Sequence, residues 1–371
     1  MTKKQEFRLW DSCFLLLACS CSVNQIIACQ LAGESKKGLS TMKKVGAAFA
    51  ILFVFLAVAF GLESKPARVK QGQVKIGVLT LMRHPALDAI YKGFKAELAK
   101  EGYRDGKEIK IVYQNANNDQ SNLKTMAEKL VNGGSKVLFG ITTPSSQALA
   151  NATKQTPIVL GAVTDPRSAN LVKNNEHPGG NITGISDQAP IHEQLRLIQR
   201  FMPRLKTLGV IYTSSDASAV AGYRQIVAEC KKLKLSLKAY SIANSNDLNQ
   251  VSQQMLTQVD AVIVPTDNTI AGAMQTLVKN ANAAKKPVFP AVDTMVKEGG
   301  VATYSVDQYQ LGVEGAKMVV QILKGKKPAN MPVRYLKHGT PVLNLKAAKK
   351  LGLTVPKDFY QEAKQKGTIY K

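Results

Sequence analysis

Beyond its first thirty residues, this 371-residue sequence has little cysteine and little aromatic character. Cys13, Cys19, Cys21 and Cys29 crowd the N-terminus, and Cys230 alone lies in the body. No disulfide framework or zinc-ligand spacing is available there, so the fold must rest on its apolar core. Trp10 is the single tryptophan, and aromatics make up 6% of the chain. The Gly-x-Ser-x-Gly elbow, the phosphate-binding Walker loop and the His-Glu-x-x-His metal motif are all missing, which removes the usual signatures of hydrolases, nucleotide hydrolases and zinc peptidases. Gly133-Gly134 ends a helix pattern and is no dinucleotide fingerprint, and the four histidines are scattered. No enzyme, cofactor or metal is expected.

Acidic residues are also few, 26 against 50 lysines and arginines, for a net charge of +24. Residues 1–63 hold seven basic and four acidic residues, so about +21 belongs to the remainder. The lysines are spread over helix ends and turns, as at Lys231-Lys232 and Lys326-Lys327, without the focused patch that nucleic acid requires. At 45% hydrophobic, the chain is long enough for two domains of ordinary size.

The one clean apolar run is N-terminal. Lys43 and Lys44 precede a continuous apolar stretch from Val45 to Leu56, and Ala57-Val58-Ala59 forms a small-x-small cleavage pattern. This is the anatomy of a secretory signal peptide starting at Met42, with residues 1–41 read as an over-extended gene start. The alternatives are an uncleaved membrane anchor, since ~18 residues is the lower limit of a span, and lipidation at Cys19 or Cys29. Each places the body outside the cytoplasm.

From Val74 onward, strand and helix patterns alternate with short polar turns. Such alternation implies right-handed crossovers and a parallel sheet covered on both faces. The rhythm runs to about residue 187, restarts near 189 and continues to about 302. Two doubly wound, Rossmann-like lobes are therefore expected. One helix is read over about 266–284.

The most informative stretch is 136–154. Val137 to Ile141 reads as a strand. Thr142 and Thr143 then supply hydroxyls where a helix needs its cap, and Pro144 fits a first helical turn. Ser145 and Ser146 follow. The free N–H groups and partial positive charge of that helix start suit a carboxylate or a phosphate. Other predicted strands also end in small polar residues: Thr80, Asp165, Thr213, Asp267 with Asn268, and Asp293. Doubly wound sheets bind ligands at those ends. If the lobes face each other, Thr142, Thr143, Ser145 and Ser146 would receive a ligand carboxylate, and Asp267 or Asp293 its ammonium. His84 and Asp165 would contact the ligand or shape their loops.

The segments I-G-V-L-T-L-M-R-H-P-A-L-D-A at 76–89, T-P-S-S-Q-A-L-A at 143–150, A-V-T-D-P at 162–166, G-G-N-I-T-G-I-S-D at 179–187, L-G-V-I-Y at 208–212, P-T-D-N-T at 265–269 and Y-Q-L-G at 309–312 together resemble the ABC-transporter substrate-binding proteins that include tryptophan- and tyrosine-type receptors. The resemblance implies a type I periplasmic-binding-protein fold with a three-strand hinge: residues 74–187 plus about 303–330 in one lobe, and 189–302 plus about 331–371 in the other. It also implies an aromatic or apolar amino acid as ligand, an ABC permease and its ATPase as partners, a periplasmic location, and a monomer. An aromatic ligand would pack on residues such as Tyr91, Tyr212, Tyr304, Met82 or Leu81. A sugar or nucleoside receptor of the same fold, or a sensor feeding a signalling partner, are the alternative readings.

Overall fold

The computed structural model describes residues 73–336 and 339–371. The expected export segment at 42–59 and the four N-terminal cysteines lie outside those residues. Among the described residues, no helix is long and apolar enough to cross a membrane.

The first lobe alternates β1 (Val74–Thr80), α1 (Pro85–Lys100), β2 (Ile109–Asn115), α2 (Gln120–Asn132), β3 (Val137–Ile141), α3 (Thr143–Ala152), β4 (Ile158–Ala162) and β5 (Ile182–Ser186). These strands pair in parallel in the order 5-4-3-1-2. The central strands β3, β4 and β5 are buried along their whole length, as expected for a parallel sheet with helices on both faces. Their continuous apolar runs follow from that burial.

The second lobe repeats the scheme with α4 (Ile191–Phe201), β6 (Thr207–Thr213), α5 (Ala217–Lys232), β7 (Ser236–Ile242), α6 (Leu248–Leu256), β8 (Ala261–Val264), α7 (Asn268–Gly272), α8 (Met274–Ala283) and β9 (Val288–Pro290). Its parallel sheet has the order 7-6-8-9. The single helix read over 266–284 is in fact two, because the backbone leaves helical geometry at Ala273.

The chain then passes through α9 (Asp293–Lys297) and β10 (Ala302–Ser305), and returns to the first lobe as α10 (Gln308–Leu323). Helices α10 and α1 meet backbone to backbone. A Cβ on Gly93 would lie 2.1 Å from the Tyr309 carbonyl oxygen, and one on Gly312 would lie 1.9 Å from that of Ile90. Only glycine permits this approach. It brings α10 onto the same core as Phe94 and Phe139, whose rings stack at 4.1 Å.

A short β11 (Arg334–Tyr335) follows, then β12 (Thr340–Asn344), α11 (Leu345–Lys350), α12 (Lys357–Lys366) and β13 (Thr368–Tyr370). Strand β12 pairs with β10 and β13. The boundary expected at about 331 needs correction. Arg334 and Tyr335 extend the first sheet beside Ile185 and Ser186. The Thr183 hydroxyl donates to the Met331 carbonyl at 2.6 Å, and Arg334 pairs with Glu314 at 2.7 Å, holding this segment to the first lobe.

Three stretches cross between the lobes, and they lie side by side. A Cβ on Gly339 would meet Pro190 and Tyr304, each at 2.9 Å, so one residue from each crossing is in contact. Adjacent crossings of this kind absorb rotation at a few backbone angles and form a hinge.

Candidate functional site

In each sheet the strand order reverses once, between β1 and β3 in the first and between β6 and β8 in the second. A crevice opens at the carboxyl ends of the strands flanking such a reversal. The loops leaving β1, β3 and β8, and the start of α5, meet around one cavity of ≈ 40 Å³. His84, Thr142, Thr143 and Asp187 come to it from the first lobe, Ser218, Asp267 and Asn268 from the second, and Gln308 from the start of α10. Helix α3 packs against α5 across the cleft, and Met82 reaches the α7 backbone at Gly272. The lobes are drawn together, and a cavity this small admits a whole amino acid only if they part.

Thr142 ends β3 at φ 91°, a left-handed conformation that a β-branched residue rarely adopts. The strained turn reverses the chain from strand to helix within one residue. Its hydroxyl caps α3 by accepting from Ser145 N–H at 3.5 Å and pairs with the Ser145 hydroxyl at 3.1 Å. The Ser146 hydroxyl donates back to the Gly140 carbonyl. Ser145 and Ser146 therefore belong to the turn itself and do not line the cavity. Thr143 does, and its buried Oγ1 has no hydrogen-bond partner.

His84 is the N-cap of α1. Its Nδ1 accepts the Ala86 N–H at 3.3 Å, so in the neutral ring Nε2 carries the hydrogen. Burial lowers its pKa and favours that neutral form. Nε2 is also buried without a partner. Two donor groups on the first lobe are thus desolvated and unused. Buried polar groups of this kind are rare, because leaving one unpaired costs about 1–3 kcal/mol.

Two carboxylates line the same cavity. Asp187 ends β5 and receives one side-chain hydrogen bond, from the Thr164 hydroxyl at 2.9 Å. Burial pushes its pKa up to about 6. Asp267 is raised to about 6, chiefly by burial and then by the nearby Asp216. Its oxygens are already occupied. Thr213 N–H donates to one at 2.6 Å, while the Thr213 hydroxyl and Ile270 N–H donate to the other at 3.0 and 2.9 Å. Asp216 caps α5 and also accepts from the Asn268 side chain at 3.0 Å.

Three further residues singled out in the sequence lie outside the lining. Asp165 caps the turn at Arg167 and Ser168. Tyr212 stacks flat on Tyr223 at 4.3 Å. Asp293 sits behind Val292 at the start of α9, its N–H donating to the Ser305 hydroxyl while Oδ1 is buried and unpartnered. The aromatic platform is also elsewhere: Tyr91 packs on Tyr113, Tyr304 donates to Glu362, and Leu81 is core. No aromatic carbocycle appears among the described lining residues. Sequence reading missed Asp187, Ser218 and Gln308. Asp187 closes a quoted motif, and its position at a strand end was the signal available for finding it.

A family model described as ABC transporter substrate binding protein matches residues 75–366. A tyrosine-binding protein of Clostridioides difficile (strain R20291) is 36% identical over 291 residues, 78% of this chain and 84% of that protein. A crystal structure of an ABC domain from Streptococcus pneumonia in complex with L-Trp is 41% identical and superposes with a TM-score of 0.77, over 80% of this chain and 99% of that one. The ligand-free, open structure of a substrate binding protein with adhesive properties from Clostridium difficile is 34% identical, at a TM-score of 0.64 over 80% and 99%. Of these two structures, the L-Trp complex superposes better, in keeping with the apposed lobes.

Proposed function

This chain belongs to the family of ABC transporter substrate-binding proteins, and from that premise we propose that it captures an aromatic amino acid between its lobes for delivery to a membrane permease. The observation that carries this reading is the pair of unpartnered donors, His84 Nε2–H and Thr143 Oγ1–H, in the same cavity as Asp187. A free amino acid presents the complementary groups, a carboxylate for the donors and an ammonium for the acid.

In this reading the ligand carboxylate sits at the start of α3, where the helix dipole favours negative charge. Asp187 holds the ammonium, because its oxygens have capacity to spare and those of Asp267 do not. The names of the tyrosine- and tryptophan-binding relatives support an aromatic side chain. Binding favours closure only as far as the ligand interacts better with the closed arrangement than with the open one. The closed pair of lobes is what a permease would recognise, on the extracytoplasmic side where substrate-binding proteins work.

Calorimetric titration of residues 64–371 against the twenty amino acids tests the proposal. Tyrosine or tryptophan binding is expected, with ligand present at a hundredfold excess over Kd adding about 2.7 kcal/mol to stability. Absence of binding by any aromatic amino acid would overturn it.

A further inference from the structure

The body of this protein is strongly basic, yet its cavity is not. Among the described lining residues there is no lysine or arginine. Asp187 and Asp267 line it, exposed to 9% and 2%, and Asp216, 6% exposed, stands directly behind Asp267 and Asn268. The groups left to face a ligand carboxylate are neutral: the Thr143 hydroxyl, His84 Nε2–H and the positive end of the α3 dipole. A ligand's two charged ends are thus treated unequally. Its ammonium meets full negative charges in a desolvated setting. Its carboxylate meets only dipoles, and is repelled by the same aspartates.

We infer that this cleft also takes primary arylalkylammonium ions, the decarboxylated counterparts of aromatic amino acids, and that it discriminates against the matching deaminated acids. The inference rests on the amino acid reading of the site and extends it to a second ligand class. Two buried, unpartnered polar atoms on residues that line the cavity, His84 and Thr143, mark it as a ligand site independently of its acidity. In an amine complex these donors would be served by water entering the space that the carboxylate leaves. A deaminated acid offers nothing to Asp187, so a buried carboxylate stays uncompensated, which is the more expensive failure.

The test is calorimetry on the same protein at pH 7.5 with four probes: tyrosine, tyramine, 3-(4-hydroxyphenyl)propionate and tryptamine. One of the two amines is expected to bind within about tenfold of the amino acid, and the propionate about a hundredfold or more below it, the span of one charge-assisted hydrogen bond. In Asp187→Asn, checked for folding by its melting curve, the gap between amine and propionate should narrow by about tenfold. Amino acid binding with both amines silent, or a propionate that binds as well as the amines, overturns this inference and leaves the amino acid reading standing. If tyrosine and tryptophan themselves fail to bind, both fall together.

Discussion

At the reversal point of the first sheet, His84 Nε2 and Thr143 Oγ1 are buried with nothing to bond. At the matching point of the second sheet, Thr213, Asp216, Asp267 and Asn268 satisfy one another and the helix starts beside them. The two lobes share a winding order and a placement of polar residues at strand ends, yet at these two reversal points one keeps hydrogen-bonding capacity open while the other has spent it internally. In the proposed reading the first lobe grips the ligand and the second presents an acidic wall. Similar sequence punctuation, hydroxyls and aspartates before a helix, therefore yields different chemistry, according to whether a partner lies within the same lobe.

The sharpest way to break this comparison is to neutralise one aspartate in each lobe. Asp187→Asn should weaken binding of an aromatic amino acid by about thirty- to a hundredfold, the loss of a hydrogen bond between charged groups, without lowering the melting temperature. Asp267→Asn should behave in the opposite way. It leaves one oxygen to accept but sets an NH2 against the donors from Thr213 or Ile270 that the second oxygen now receives, and is expected to destabilise the fold by about 1–3 kcal/mol. Calorimetry and thermal melts on both variants decide the matter, and equal binding losses in the two would dissolve the distinction between lobes.

Acidity sharpens it further. Both aspartates have folded-state pKa values raised to about 6 by burial, above the usual carboxylate range. The folded protein therefore holds their protons more tightly than the unfolded chain does. Their charge is a burden above pH 6 that is relieved as pH falls through 6 towards 4. Between pH 7 and pH 5 the ligand-free protein should gain about 1 kcal/mol from each relative to a variant with asparagine at that position. Ligand affinity should move the other way, falling below pH 6 as Asp187 takes up its proton. Melting temperatures with and without tyrosine across pH 5–8 check both signs.

A gentler cut separates the gripping hydroxyl from the turn hydroxyls. Thr143→Ala should lower affinity by about fivefold and leave stability unchanged or slightly higher, since its Oγ1 is buried and unpaired. Ser146→Ala instead removes the donor to Gly140 and should reduce stability by about 1 kcal/mol with affinity intact. Denaturant midpoints alongside calorimetry distinguish the two.

Much of the fold was legible because its signals are local. Apolar runs of strand length, caps at Thr142, Asp216 and Asp267, and short turns set the alternation, and a parallel sheet follows from it. The return of α10 to the first lobe was implied by family likeness, not by pattern. What makes it possible, the contact of Gly93 and Gly312 with facing backbones, involves residues more than two hundred positions apart. The candidate site was legible to the level of loops but not of atoms. Thr143, Ser145 and Ser146 look alike in sequence, and only the strained φ of Thr142 decides which hydroxyl reaches the cavity. Asp187 went unnoticed because its strand opens the crossing to the second lobe, where no helix follows at once to mark the end.

Tyr212 offers the smallest expected effect and a strict control. It stands in β6 one residue before the strand's last residue, Thr213, close to the kind of position that drew attention to the other strand ends. Its ring lies parallel to that of Tyr223 on α5 with centroids 4.3 Å apart, so its face is already covered within the second lobe. Tyr212→Leu keeps an apolar side chain there but gives up the ring contact, and should cost about 0.5–1.5 kcal/mol of stability. Amino acid affinity should be unchanged, because the side chain does not line the cavity. A clear loss of tyrosine or tryptophan binding in that variant would mean that the second lobe contributes an aromatic face when the lobes part and close again on ligand. The division of labour between a gripping lobe and an acidic wall would then have to give way to two lobes that both reshape around the side chain.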